Sequence, residues 1–220
     1  MIKISDRLKS LVPYVESEDI VMDVGCDHAL LDIYLVENNI LNKMYVCDVN
    51  PNALQNGIDN IKKSGLEKKI IPILGYGIER SAEYNIDTLI ISGMGSKNII
   101  SILESPNLNR VYKLILQSNN NHYELRKFLT QKSFNIAHEE IIKDGKKTYI
   151  NIIAVHDMYP KTYTEKEYEF GPILIKDKKN INYFRDLLEE YEDLYFKSKN
   201  EQMHEKKEML DEILDDLEAM

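Results

Sequence analysis

Short apolar runs alternate with amphipathic stretches along most of this 220-residue chain. Residues 20–24, 44–47, 70–74, 88–92 and 113–117 have the length and apolar content of buried strands. Helical spacing fills the intervals at 30–38, 51–64, 97–103 and 123–131. Every interval is long enough for a crossover, so the pattern predicts βαβ units around a parallel sheet, an α/β fold. After Phe134 the rhythm changes: residues 135–142 and 148–155 are β-branched runs flanking Lys143-Asp144-Gly145-Lys146. Asp-Gly favours a tight turn between antiparallel strands, so the sheet is expected to end in an antiparallel pair. Dehydrogenase sheets stay parallel, whereas Rossmann-like methyltransferase sheets finish in this way.

Beyond His156 a short connection leads into a strongly helical tail. Apolar positions recur at Phe184, Leu187, Tyr191 and Leu194, then at Met203, Leu210, Ile213 and Leu217. Spacings of three and four mark a coiled-coil seam, and the polar break Lys197-Ser198-Lys199-Asn200 predicts that the chain turns back. The expectation is an antiparallel helical hairpin; one long helix or a dimerising coiled coil fits the same spacing. The division expected is a Rossmann-like domain over 1–160 and a C-terminal α-helical coiled-coil hairpin over 161–220.

Composition narrows the class. Hydrophobic residues make up 43% of the chain, enough for a full core. No run of about 18 apolar residues exists and Met1-Ile2-Lys3-Ile4-Ser5-Asp6-Arg7 has no apolar core, so the expectation is a cytoplasmic protein without a membrane span. The net charge of −9 argues against holding nucleic acid by bulk electrostatics alone. Residues 1–160 carry 18 basic and 20 acidic side chains, against 10 and 17 in 161–220. The acidity therefore lies mostly in the tail, and local basic patches stay open to the main domain. Cys26 and Cys47 form neither a disulfide framework nor a metal-ligand spacing, so both are read as small core residues and no metal is expected.

Three strand ends carry the candidate chemistry. The first run ends at Gly25, where backbone can pass close to a ligand, and Asp27 and His28 follow just beyond the carboxyl end of the strand. The second, Met44-Tyr45-Val46-Cys47-Asp48-Val49-Asn50, places Asp48 about 20 positions after Gly25, where an acid holds ribose hydroxyls. A dinucleotide site needs Gly-x-Gly-x-x-Gly, and Gly25-Cys26-Asp27-His28-Ala29-Leu30 has only the first glycine. An acidic loop repels a pyrophosphate but suits the ammonium and sulfonium of S-adenosyl-L-methionine, a role fitting Asp23 and Asp27. The third end, Ser92-Gly93-Met94-Gly95-Ser96, has two glycines that permit close approach of a substrate to the methyl group. The cofactor-binding set read from these ends is Asp23, Gly25, His28, Asp48, Val49, Ser92, Gly93 and Met94.

Taken together, Asp23-Val24-Gly25-Cys26-Asp27-His28-Ala29, Ile33-Tyr34-Leu35, Ser92-Gly93-Met94-Gly95, Leu114-Ile115-Leu116-Gln117-Ser118-Asn119, Asp144-Gly145-Lys146 and Phe170-Gly171-Pro172 resemble the bacterial tRNA (adenine(22)-N1)-methyltransferase family over nearly the whole chain. The resemblance implies a class I methyltransferase domain, a coiled-coil carboxyl domain, S-adenosyl-L-methionine as donor and tRNA as substrate. No obligate protein partner is expected. The family usually has Ser at position 26, Ala at 92, Gly at 96 and Pro at 118. It typically has Gly-Asp-Gly where Gly75-Tyr76-Gly77 stands, so an acid that bonds the donor's adenine is here a tyrosine, and the resemblance adds Tyr76 and Gly77 to the cofactor-binding set.

Methylation at adenine N1 uses an in-plane lone pair and needs no base to create the nucleophile, so orientation and charge dominate. Asp27 is the expected stabiliser of the developing cation, with Gln117 and Asn119 presenting donors and acceptors to the adenine edge. Tyr14 or Tyr34 is the expected platform for an unstacked base. Lys3, Arg7 and Lys9, with Lys143, Lys146 and Lys147 at the hairpin, are the candidate backbone contacts, and Lys176, Lys178 and Lys179 stand at the entry to the tail. Two other readings fit the residues: a methyltransferase acting on a small molecule or protein, and a helical interaction module on a degenerate Rossmann domain.

Overall fold

Strands β1 (Val21–Val24), β2 (Met44–Asp48), β3 (Ile70–Leu74), β4 (Thr88–Met94) and β5 (Lys113–Ser118) lie parallel in one sheet. Strands β6 (Phe134–Asp144) and β7 (Lys147–His156) join it antiparallel, in the order β3-β2-β1-β4-β5-β7-β6. This computed structural model describes residues 2–220 and resolves two compact units, the first ending at Lys161 and the second spanning Thr162–Met220.

The reversal from β2 to β1 to β4 leaves a crevice at the carboxyl ends of those strands, where an open α/β sheet binds ligands. Every residue of β1 and β5 is buried, polar ones included, because helices cover both faces of the sheet centre. The helices of this unit are α1 (Asp6–Lys9), α2 (Leu30–Glu37), α3 (Pro51–Lys63), α4 (Ser96–Leu103) and α5 (His122–Gln131). Asn50 starts α3 by accepting from the amide of Asn52 at 2.9 Å, with Pro51 in the first turn. The β6–β7 hairpin closes with Asp144 paired to Lys147 around Gly145, whose φ of +61° supplies the tight turn.

Several short elements had no signal in the sequence, and two of them bear on the site. Helix α1 is a single turn capped by the Ser5 hydroxyl, and a 3-10 segment runs over Gly77–Glu83. Both are too short to show a period.

The second unit contains α6 (Glu165–Phe170), held by a Thr164–Glu167 capping box, and two long helices, α7 (Ile181–Ser198) and α8 (Glu201–Ala219). Lys199, in the left-handed conformation, ends α7, and Asn200 caps α8. Arg185 meets Glu218 at 2.6 Å, and Lys207 meets Glu192 at 3.5 Å. Phe184, Leu210, Ile213, Leu214 and Leu217 are buried. Leu194 leaves the expected seam and is 41% exposed, because Tyr195 occupies the contact by stacking on His204 at 5.1 Å. No described helix is long and apolar enough to cross a membrane.

Candidate active site

Two cavities meet at the carboxyl edge of the sheet. The larger, about 640 Å³, is lined by Val24, Gly25, Asp48, Val49, Tyr76, Gly77, Met94 and the polar residues Asn98, Ser101 and Asn107. The smaller, about 320 Å³, is lined by Arg7, Asp23, Gly25, Asp27, His28, Ser92, Gly93 and Met94. Gly25 and Met94 border both; a Cβ on Gly25 would lie 2.1 Å from the Met94 terminal methyl. The larger volume falls in the range of small-molecule sites.

The loop after β1 is bent by two left-handed residues, Asp27 at φ +44° and Ala29 at +53°. Helix α3 braces it: Asn60 donates to the His28 carbonyl at 3.0 Å, and a Cβ on Gly57 would come within 3.0 Å of the Asp27 carbonyl oxygen. Asp27 and His28 are exposed, with the imidazole 3.5 Å from the carboxylate. One oxygen of Asp48 accepts from the Asn50 amide at 2.8 Å, which leaves the other for a ligand. Asn107 donates to the carbonyl of Glu79 at 2.7 Å and pins the 3-10 segment that carries Gly77.

Beneath the loop, Asp23 and the fully buried Asp32 of α2 share one dry region. Neither oxygen of Asp32 finds a hydrogen-bond partner among the described residues unless a proton lies between the two carboxyls. Burial, with the Asp23 charge adding, pushes Asp32 well above the usual carboxylate range. Burial likewise raises Asp23, opposed by a hydrogen bond from Asp32, to about 7. The pair therefore keeps a proton on Asp32 near neutrality, donated to Asp23. A carboxyl raised on folding binds more protons in the native chain than in the unfolded one, so its contribution to stability falls as pH rises from about 4 through 7. Asp32→Asn keeps a donor and removes the penalty. Its melting temperature at pH 8 is expected to exceed the parent's by about 2–4 °C, a gain of ~1 kcal/mol, with a smaller gap at pH 5. An unchanged pH dependence of melting would show the pair to be uncoupled from folding.

Both cysteines are buried and free, and burial raises both thiols, so neither is a poised nucleophile. Ser96 and Ser118, two departures from the family pattern, answer each other: their hydroxyls lie 2.8 Å apart, one donating to the other, and the Asn120 carbonyl lies 2.6 Å from Ser96 and 3.0 Å from Ser118 to accept the remaining proton. Asn120 further accepts from the Ser96 amide at 3.2 Å. Its bracing role was not signalled in the sequence.

Several expected site residues stand elsewhere than foreseen. Gln117 is corrected: it is fully buried, and its amide is spent on Arg7 and Asn151, leaving nothing for an adenine edge. Arg7, expected with Lys3 and Lys9 as a backbone contact, is half-buried at a wall of the smaller cavity, while Lys3 and Lys9 are exposed. Asn119 is exposed on the loop after β5 and lines neither cavity. Tyr14 packs on His138 at 5.0 Å and reaches Glu140, and Tyr34 packs on the core, so neither borders the smaller cavity. Burial, followed by the charge of Glu140, pushes Tyr14 up to about 12. Lys143, Lys146 and Lys147 are exposed at the hairpin.

A Rossmann-like sheet closed by an antiparallel pair, with carboxylates rather than a glycine cradle at the end of its first strand, defines a class I, S-adenosylmethionine-dependent methyltransferase. A family model described as tRNA (adenine(22)-N(1))-methyltransferase matches residues 21–219, and the chain belongs to that family. The tRNA (adenine(22)-N(1))-methyltransferase of Bacillus subtilis (strain 168) is 27% identical over 186 residues, which are 82% of this chain and 78% of that protein. Among solved structures, M. capricolum TrmK in complex with S-adenosyl-homocysteine is 27% identical with a TM-score of 0.84, covering 98% of both chains. A Streptococcus pneumoniae chain in complex with S-adenosyl-L-methionine is 28% identical with a TM-score of 0.86, covering 96% of this chain and all of that one.

Proposed function

We propose that this chain methylates N1 of adenine 22 in tRNA, in the cytoplasm, with the donor in the larger cavity and the target base in the smaller. The observation that carries the reading is the junction at Gly25 and Met94, where a site of cofactor size opens onto a site bearing Asp27. When bound, S-adenosyl-L-methionine supplies a sulfonium methyl group that passes to the adenine N1 lone pair and leaves the base cationic.

The residues present fit that donor. Asp48 lines the larger cavity and matches the donor's ribose hydroxyls, while Asp23 and Asp27 line the smaller cavity beyond the shared Gly25 and Met94 and match the positive charge at that end of the donor. Glycines at 25 and 77, both with positive φ, keep the walls open. Val49 and the exposed ring of Tyr76 flank the larger cavity, and Tyr76 stacks on the donor's adenine in place of the family's acid. Ser92, Gly93 and Met94 form the wall shared with the base, and His28 orients Asp27. Asp27 stabilises the charge that develops on the base, and Asn119 is assigned to the edge of the base as it enters.

Exposed Lys3, Lys9, Lys143, Lys146 and Lys147 supply backbone contacts, on two segments joined where Arg7 stands 3.9 Å from Asp144. Residues 161–220 act as a coiled-coil hairpin that reads tRNA shape, with Lys176, Lys178 and Lys179 at its entry. The cross-pairs Arg185–Glu218 and Glu192–Lys207 support the antiparallel arrangement.

The test is to incubate the protein with unmodified tRNA and labelled donor, then map the product by nuclease digestion and mass spectrometry. N1-methyladenine at position 22 is the expected product; label confined to protein or small molecules overturns the reading. Removing residues 162–220 is expected to weaken tRNA binding at least about tenfold while donor affinity, read by calorimetry, stays within a factor of about two. Equal loss of both would refute a separate role for the tail.

A further inference from the structure

The sheet carries two buried amides that its own strands do not need. Gln117 on β5 and Asn151 on β7 are register partners and fully buried, amid apolar neighbours. A buried amide is costly unless its bonds are made, and here they converge on α1. Gln117 donates to Asn151 Oδ1 at 2.7 Å and to the Arg7 carbonyl at 3.1 Å, and accepts from Arg7 Nη1 at 2.6 Å. Asn151 donates to the Ser10 hydroxyl at 2.8 Å. Helix α1 is one turn long and has no buried residue, so packing alone does not fix it.

The relay holds the Arg7 guanidinium in one orientation. Its plane lies over the Tyr149 ring at 5.1 Å and beside Gly93, where a Cβ would be 3.2 Å from Nη1. Nε reaches Asp144 only at 3.9 Å, and Nη2 has no acceptor among the described residues. One edge of the fork is bonded to the sheet; the other is open at a wall of the smaller cavity.

We propose that the open edge of Arg7 binds the phosphodiester beside the flipped adenosine, and that Gln117 and Asn151 are positioning residues for that contact. The inference rests on the tRNA methylation reading and adds the group that holds the target nucleotide. Charge selects the phosphate over the base: the methylated adenine is cationic and is repelled by a guanidinium, whereas a phosphate matches the fork. Asp27, across the same cavity, takes the cation.

The test measures three quantities: kcat and KM for tRNA, the salt dependence of tRNA binding, and donor affinity by calorimetry. Arg7→Ala is expected to lower kcat/KM for tRNA on the order of 10- to 100-fold, mainly through KM, with donor affinity unchanged. Its plot of log binding constant against log salt should be shallower by about one phosphate contact. Arg7→Lys keeps the charge without the fork, so it should restore the salt slope but only part of kcat/KM. Asn151→Ala, which touches no substrate, should lower kcat/KM in the parent and have no further effect in the Arg7→Ala background, an interaction that general loosening of the fold does not produce. Parental tRNA binding and salt slope in Arg7→Ala would overturn the proposal. Failure of the parent protein to methylate tRNA would instead strike the reading on which it rests.

Discussion

Asp27→Asn is expected to reduce kcat for methyl transfer on the order of 100-fold at saturating donor and tRNA, with KM for tRNA little changed. The substitution keeps the shape of the side chain and its tolerance of the left-handed conformation at φ +44°, so the loop braced by Asn60 and Gly57 should hold. It removes only the charge. That carboxylate is 62% exposed before tRNA arrives, and water screens it. An entering base displaces the water, and the field then acts on the cation at the moment it forms. The effect should therefore appear in the transfer step, read by single-turnover kinetics, and donor affinity should fall only modestly because Asp23 and Asp48 remain. Parental single-turnover rates in Asp27→Asn would remove Asp27 from its assigned role.

The second large effect is expected at Gly77. Its φ is +73°, and a Cβ would lie 2.9 Å from Val24 Cγ1 and 3.2 Å from Ile102 Cγ2. Both neighbours are branched side chains lining the larger cavity, and Val24 is buried in β1. Gly77→Ala combines a left-handed alanine, about 1 kcal/mol, with overpacking of about 1–3 kcal/mol, for a loss of ~2–4 kcal/mol. The melting temperature should drop by about 5–15 °C and the donor dissociation constant rise about tenfold or more. Gly65→Ala provides the control. Gly65 has φ +67° with open space within 4 Å of where a Cβ would stand, so it isolates the backbone cost, and its donor affinity should stay parental. Equal melting losses in the two variants, with donor affinity unchanged in Gly77→Ala, would show that the cavity wall yields without consequence.

Periodicity located the seven strands and the main helices of the first unit because each buries a continuous face and repeats at its own period. The acid at Asp48 and the single glycine at Gly25 were legible for a local reason: both sit at strand ends, where the chemistry follows from residue type and chain position. Side chains whose roles depend on distant partners were misplaced. Gln117 read as a base contact because it stands at a strand end, yet its partner Arg7 is 110 positions away. Leu194 fitted the heptad spacing, but Tyr195 won the contact by finding His204 across the turn.

The amino-acid order alone determined the α/β class, the antiparallel finish at Asp144-Gly145, the acidic loop that favours a sulfonium over a pyrophosphate, and the family resemblance. These are properties of neighbouring residues, written at short range. Only the tertiary structure decided that Asp32 lies against Asp23, that Ser96 and Ser118 share a bond, and that Gln117 and Asn151 hold α1 at a cavity wall. Burial makes a polar group depend on whichever partner the fold delivers, and that partner is set by sheet order and register rather than by distance along the chain.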